Sequence, residues 1–143
     1  MMLKNILAAI VGYVAIVAVL FALSSLLWLM LGPSRAFQPG TWEVAGGWIL
    51  GSIGLGFVGA YIGGWVCARV AHDAKGATIL IAMMIVLGVV SALMPVEMAA
   101  GPRPDDVSML EATMSASQPA WLPWLNPLIG VLGVWLGSRK LRA

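Results

Sequence analysis

The run from Gly46 to Gly64, GGWILGSIGLGFVGAYIGG, holds eight glycines in nineteen residues and neither a charge nor a proline. In water a helical glycine costs about 1 kcal/mol relative to alanine, so a soluble chain would hardly keep this segment helical. In a bilayer the backbone must satisfy its own hydrogen bonds, and the helix forms regardless. The glycines then acquire another use. Gly47, Gly51, Gly59 and Gly63 fall four or eight residues apart, and Ser52, Gly56, Ala60 and Gly64 form a second row beside them. Two neighbouring rows of small residues make a groove into which another helix can press backbone to backbone.

Composition carries the same message. The 143 residues are 61% hydrophobic and 10% charged, against about 25% charged in soluble domains. A deficit of that size marks a membrane protein, and the length allows one domain. The net charge of +2 sits at helix ends, and no basic run is interleaved with aromatics as single-strand binders require. Nucleic acid is therefore not a partner. Cys67 is alone, which excludes an intrachain disulfide and a cysteine metal cluster.

The apolar runs predict an all-α, integral membrane four-helix bundle forming a single domain over 1–143. Its spans fall at about 6–31, 44–68, 77–94 and 120–138, with outer loops at 32–43 and 95–119. The first span extends about 39 Å, longer than a hydrocarbon core of about 30 Å. It is too long for a signal-peptide core, so it reads as a retained helix. Ala8, Gly12, Ala15 and Ala22 share one face of it, a seat for the glycine groove. Pro39-Gly40 marks a turn, and Thr41 is placed to cap the second helix with Glu43 beside it. The short connection around His72 and Asp73 turns the third helix antiparallel to the second, and Pro95 stops the third helix. Asp106, Ser108 and Glu111 announce a short surface helix over 107–116.

The fourth span begins awkwardly, with Pro119, Pro123 and Pro127 recurring every four residues. Asn126-Pro127 is itself a good helix start, so this span is expected to bend or break near Asn126. Asn126, Gly130, Gly133 and Gly137 share one face, a second small-residue seam.

Four spans put both termini on one side. Lys4, Arg69, Lys75, Arg139, Lys140 and Arg142 lie on that side, and Arg35 and Arg103 on the other. The positive-inside rule makes the termini cytoplasmic. Trp28, Trp42, Trp48, Trp121 and Trp124 then gather at the outer boundary, with Trp65 and Trp135 toward the inner one.

Within the four cores there is no Asp, Glu, Lys, Arg or His. Intramembrane ionisable groups mark proton relays and ion pathways, so proton-coupled transport is disfavoured. The first helix lacks the glutamate sought in small multidrug exporters, and a lone cysteine cannot serve as the pairs of disulfide-generating quinone reductases. No motif identifies a family. Met94 and Met98 are weak candidates for a soft Cu(I) site, similar to a methionine pair of copper importers. Pro95 between them breaks the helical register that would bring both sulfurs together. His72 has no metal or nucleophile partner, and no nucleophile elbow or phosphate loop is present. The expectation is a protein that is not an enzyme and needs no cofactor.

Asn126 with Pro127 has two readings. Asn126 mends the backbone where Pro127 removes a hydrogen bond, or the break opens a polar notch that accepts a headgroup, a quinone or a small solute. Two functions follow. The first is an accessory or structural subunit of the bacterial inner membrane, packing through Gly47, Gly51, Gly56, Gly59, Gly63, Gly64, Gly130, Gly133 and Gly137 against partner helices or itself. The alternative is a homo-oligomeric channel or carrier for a neutral or lipid-like solute.

Overall fold

The computed structural model describes residues 1–94 and 101–139. Over these the chain is all-α, with helices α1 (Met2–Ala36), α2 (Gly46–Ala71), α3 (Ala74–Leu93), α4 (Met109–Ser115) and α5 (Leu122–Arg139). The expected stop at Pro95, the sulfur of Met98 and the terminal charges of Lys140 and Arg142 lie outside the described residues. Helices α1, α2 and α3 are each long and apolar enough to cross a membrane. Their outward faces suit lipid: Val14, Phe21, Leu50 and Val86 are all more than half exposed, a display too extensive for a protein surface in water.

Helix α1 is longer than its apolar core, 35 residues or about 52 Å. Its last turn is set off at Gly32, whose φ of 68° and ψ of 172° belong to a region that glycine alone enters cheaply. Pro33 then starts a fresh turn. At the opposite end α1 is pinned to the start of α3. The buried Asn5 donates from its side chain to the Asp73 carboxylate at 3.1 Å, and Asp73 caps α3 by accepting from the backbone N–H of Lys75 at 2.9 Å and of Gly76 at 3.3 Å. Desolvation pushes the Asp73 carboxyl up, but these hydrogen bonds and the Lys75 charge outweigh it and hold the group below its ordinary value. The connection before it is tight because His72 closes α2 in the left-handed region, φ 60°, with its N–H on the Ala68 carbonyl.

The two small-residue rows of α2 meet different helices. One row faces α1: a Cβ on Gly63 would stand 2.7 Å from the Gly12 carbonyl oxygen, one on Gly59 would stand 3.1 Å from Leu20, and one on Gly51 would stand 2.8 Å from Leu27. The other faces α5: a Cβ on Gly64 would stand 2.7 Å from the Val134 Cα, and one on Gly133 2.6 Å from the Ala60 Cβ. Gly137 abuts the Tyr61 carbonyl, Gly130 meets the Met84 methyl of α3, and Gly88 of α3 receives the Pro127 ring. Helix α2 thus lies between α1 and α5, with Ala8, Cys67 and Leu80 fully buried where α1, α2 and α3 converge.

The seat on α1 differs from the expected stripe of small residues. Ala8 and Gly12 are buried, but Ala22 is exposed, and the glycines of α2 are filled by Ile16, Leu20 and Leu27. Gly12 and Gly63 do meet backbone to backbone as expected; nearer the cap, Leu20 and Leu27 take up the space over Gly59 and Gly51.

Two further expectations are corrected, the first in its stronger form. Helix α5 does not break at Asn126 but runs as one helix from Leu122 to Arg139 with Pro127 inside it. Pro127 removes one hydrogen bond near the start of the helix, and the space left by Gly88 accommodates its ring. Thr41 does not cap α2, whose N-cap is Ala45. The Ala45 N–H donates instead to the Ala36 carbonyl at 2.8 Å, so backbone pairing with the end of α1 fixes the start of α2.

That pairing belongs to a cap over one end of the helices. Pro39-Gly40 forms the expected turn, with Gly40 at φ 69° and the Thr41 N–H on the Gln38 carbonyl, the type II arrangement. Isolated β-bridges join Phe37 to Val44 and Glu43 to Ser117. Helix α4 is shorter than the expected 107–116, and Ser108 caps it by accepting from the Glu111 N–H. Ala36, Phe37, Val44, Val107 and Ala112 form a small core of their own, with Trp28, Trp42 and Trp48 packed against it. These tryptophans and Phe37 meet edge to face, at centroid distances of 5.9–6.3 Å.

Candidate functional site

Below the cap the helices do not close on one another. Helices α1 and α3 run in the same direction and touch near the end that carries the N-terminus, where Leu80 reaches Gly12. Toward the capped end a cavity of about 960 Å³ lies among α1, α2, α3 and α5. Helix α1 contributes Tyr13, Ile16, Val17, Leu20 and Ser24, and α2 contributes Ser52, Ile53 and Gly56. Helix α3 supplies Met84, Leu87, Gly88, Ser91 and Ala92, and α5 supplies Pro123, Trp124, Asn126, Pro127, Ile129 and Gly130. Its roof is Thr113 and Met114 of α4 with residues 116–120.

The sequence explains why space remains there. Gly56 sits in the second row of α2 but has no neighbour within 4 Å of where a Cβ would stand. Ser52, one turn away, bonds back to the Trp48 carbonyl at 2.7 Å. Small residues on α2 thus face the cavity where larger ones would have filled it. Met84 against Gly130 closes one end, and the Pro127 ring on Gly88 holds α3 and α5 together beside it.

The roof is held from outside. Arg103 is buried: its Nε donates to the Thr41 carbonyl at 2.9 Å, its Nη1 to the Pro104 carbonyl at 3.2 Å, and its guanidinium lies 5.2 Å from the Phe37 ring centroid. The Ser25 hydroxyl reaches the Met109 sulfur at 3.6 Å, tying α4 to α1.

Asn126 lines this cavity together with Pro127. Its side chain forms no hydrogen bond among the described residues, and α5 is not broken beside it, so the mending role has no geometry to support it. The remaining glycines divide. Gly51, Gly59, Gly63, Gly64, Gly130, Gly133 and Gly137 are in close contact with other helices of the same chain, whereas Gly47 has nothing within 4 Å. Met94 ends α3 with its side chain mostly exposed. Among the described residues no three His, Cys, Asp or Glu side chains gather to hold a metal.

Sequence reasoning missed Ser24, Ser91, Thr113 and Gln118 as lining residues. The available signal was depth: Ser24, Ser52, Ser91 and Asn126 each lie toward the capped end of a different, mostly apolar helix. Comparison with known protein families, curated proteins and solved structures finds no match.

Proposed function

We propose that this chain is a four-helix membrane protein that holds a neutral or lipid-like molecule in the cavity beneath its cap and acts as its carrier. The single observation that supports the reading is the cavity itself. Its volume of about 960 Å³ falls at the upper end of small-molecule sites, about 300–1,000 Å³, and its lining is mostly apolar, with hydroxyl and amide side chains among it. Binding is proposed rather than turnover because no Asp, Glu, His, Lys or Cys is among the described lining residues to serve in an acid–base or nucleophilic pair. Helix α5, 18 residues long or about 27 Å, completes the four spans. Both termini face the cytoplasm of a bacterial inner membrane and the cap faces outward, on the lysine and arginine distribution.

Native mass spectrometry of the chain released from lipid nanodiscs tests the reading. One retained amphiphile per chain is expected, and Gly56→Leu, which fills the cavity, should lose it. Identical retained species in the two proteins would remove the proposal. A second reading, an accessory subunit, draws support from Gly47 and Gly54, which lie exposed on α2 with nothing within 4 Å of where a Cβ would stand. A larger membrane complex recovered with the tagged chain would favour it.

A further inference from the structure

The two ends of the cavity differ chemically, and the difference specifies a ligand class. Near the cap, one polar residue comes from each of four helices: Ser24, Ser52, Ser91 and Asn126. Away from the cap, the lining turns to side chains such as Ile16, Leu20 and Leu87, with Tyr13 at the far end on α1. The lining residues from Tyr13 to Ser24 on α1 extend about 16 Å along the helix, room for a hydrocarbon tail below a compact head.

The polar groups have hydrogen-bonding capacity to spare. Ser52 uses its proton on Trp48 and keeps its acceptor, and the side chains of Ser24, Ser91 and Asn126 make no hydrogen bond among the described residues. A purely apolar ligand would strip water from these groups and return nothing. A charged head would be worse placed, because no Asp, Glu, Lys, Arg or His is among the lining residues and a desolvated charge without a partner is strongly disfavoured. Hydroxyl and amide heads both donate and accept, as this mixed set of groups requires.

We infer that the ligand is an amphiphile with an uncharged, hydrogen-bonding head, held head toward the cap and tail toward Ile16. This rests on the reading of the cavity as a carrier site. Three probes with one common acyl or alkyl tail test it, each bearing a diazirine at the tail end: a monoacylglycerol, an alkyl phosphate and an alkyltrimethylammonium. Each is added to the full chain in phosphatidylcholine nanodiscs, photolysed, and the labelled peptides identified.

The monoacylglycerol is expected to label the peptides around Ile16 and Leu87 at least about ten-fold more than either charged probe, and Asn126→Leu should reduce that preference. Gly56→Leu should abolish labelling there by all three; thermal melting of each variant establishes that it is folded. Equal labelling by the three probes, all of it lost in Gly56→Leu, would overturn the head preference while leaving the cavity a ligand site. Labelling indifferent to Gly56→Leu would overturn both. Stronger labelling by either charged probe would reverse the assignment of the head.

Discussion

Gly64 and Gly56 lie eight residues apart in the same row of α2 and have opposite surroundings. A Cβ on Gly64 would stand 2.7 Å from the Val134 Cα, whereas one on Gly56 would meet nothing within 4 Å. Gly64→Ala is therefore expected to lower the unfolding free energy by about 1–3 kcal/mol, with Gly56→Ala neutral or slightly stabilising, read as thermal melts in one detergent. Equal melts would mean that α2 and α5 do not touch at Gly64. Asp73 supplies a pH dependence at the same scale. Its folded pKa lies below the ordinary value, so its contribution to stability is fully present above the unfolded pKa, about 3.9. That contribution is lost as pH falls through the folded pKa. The melting temperature should fall on acidification below about pH 4, and Asp73→Asn should flatten that part of the profile. An unchanged profile would remove Asp73 as the α1–α3 clasp.

Among the elements, the cap departs most from its appearance in sequence. Residues 32–43 read as an outer loop, yet Ala36 and Phe37 are buried there in a core with Val44 and with Val107 and Ala112 from beyond α3. Arg103 joins the two segments by its bonds to Thr41 and Pro104. Removing it takes a charged donor from the Thr41 and Pro104 carbonyls, and Arg103→Ala should weaken the cap by about 2 kcal/mol. Faster proteolysis near residue 103 at an unchanged α-helical signal is the expected result. Arg103→Lys should not restore protection, since an ammonium lacks the flat fork that serves both carbonyls while lying on a ring. Proteolysis at the parental rate in both variants would mean that the cap does not depend on Arg103. The unbroken course of α5 through Pro127 is the converse case, in which a local breaking signal is overridden because Gly88 on another helix makes room for the ring.

For the whole molecule, the topology is open to direct labelling. A cysteine at Asp105 should react with a membrane-impermeant maleimide on intact cells stripped of any outer barrier, and one at Lys75 only after permeabilisation. The native Cys67 is fully buried and provides an unreactive background. The reverse pattern would invert the orientation and place the cap in the cytoplasm. The cavity beneath the cap would move with it.

The sequence by itself determined that this chain belongs in lipid, because hydrophobicity and charge depletion are local properties that no packing can alter. It also determined that its helices can approach backbone to backbone, because small-residue spacing is written along a single helix. Tertiary structure alone decided which row of α2 meets α1 and which meets α5. It also decided that Ile16, Leu20 and Leu27 rather than alanines fill the glycine row. Asn126 could be singled out as an oddity, but Ser52 read as part of a packing row, and nothing local set Ser24 or Ser91 apart. Their shared depth acquires meaning once four helices are set side by side around unfilled space. Contacts between residues as far apart as Asn5 and Asp73, or Glu43 and Ser117, depend on the packing of whole helices, and no local pattern encodes them.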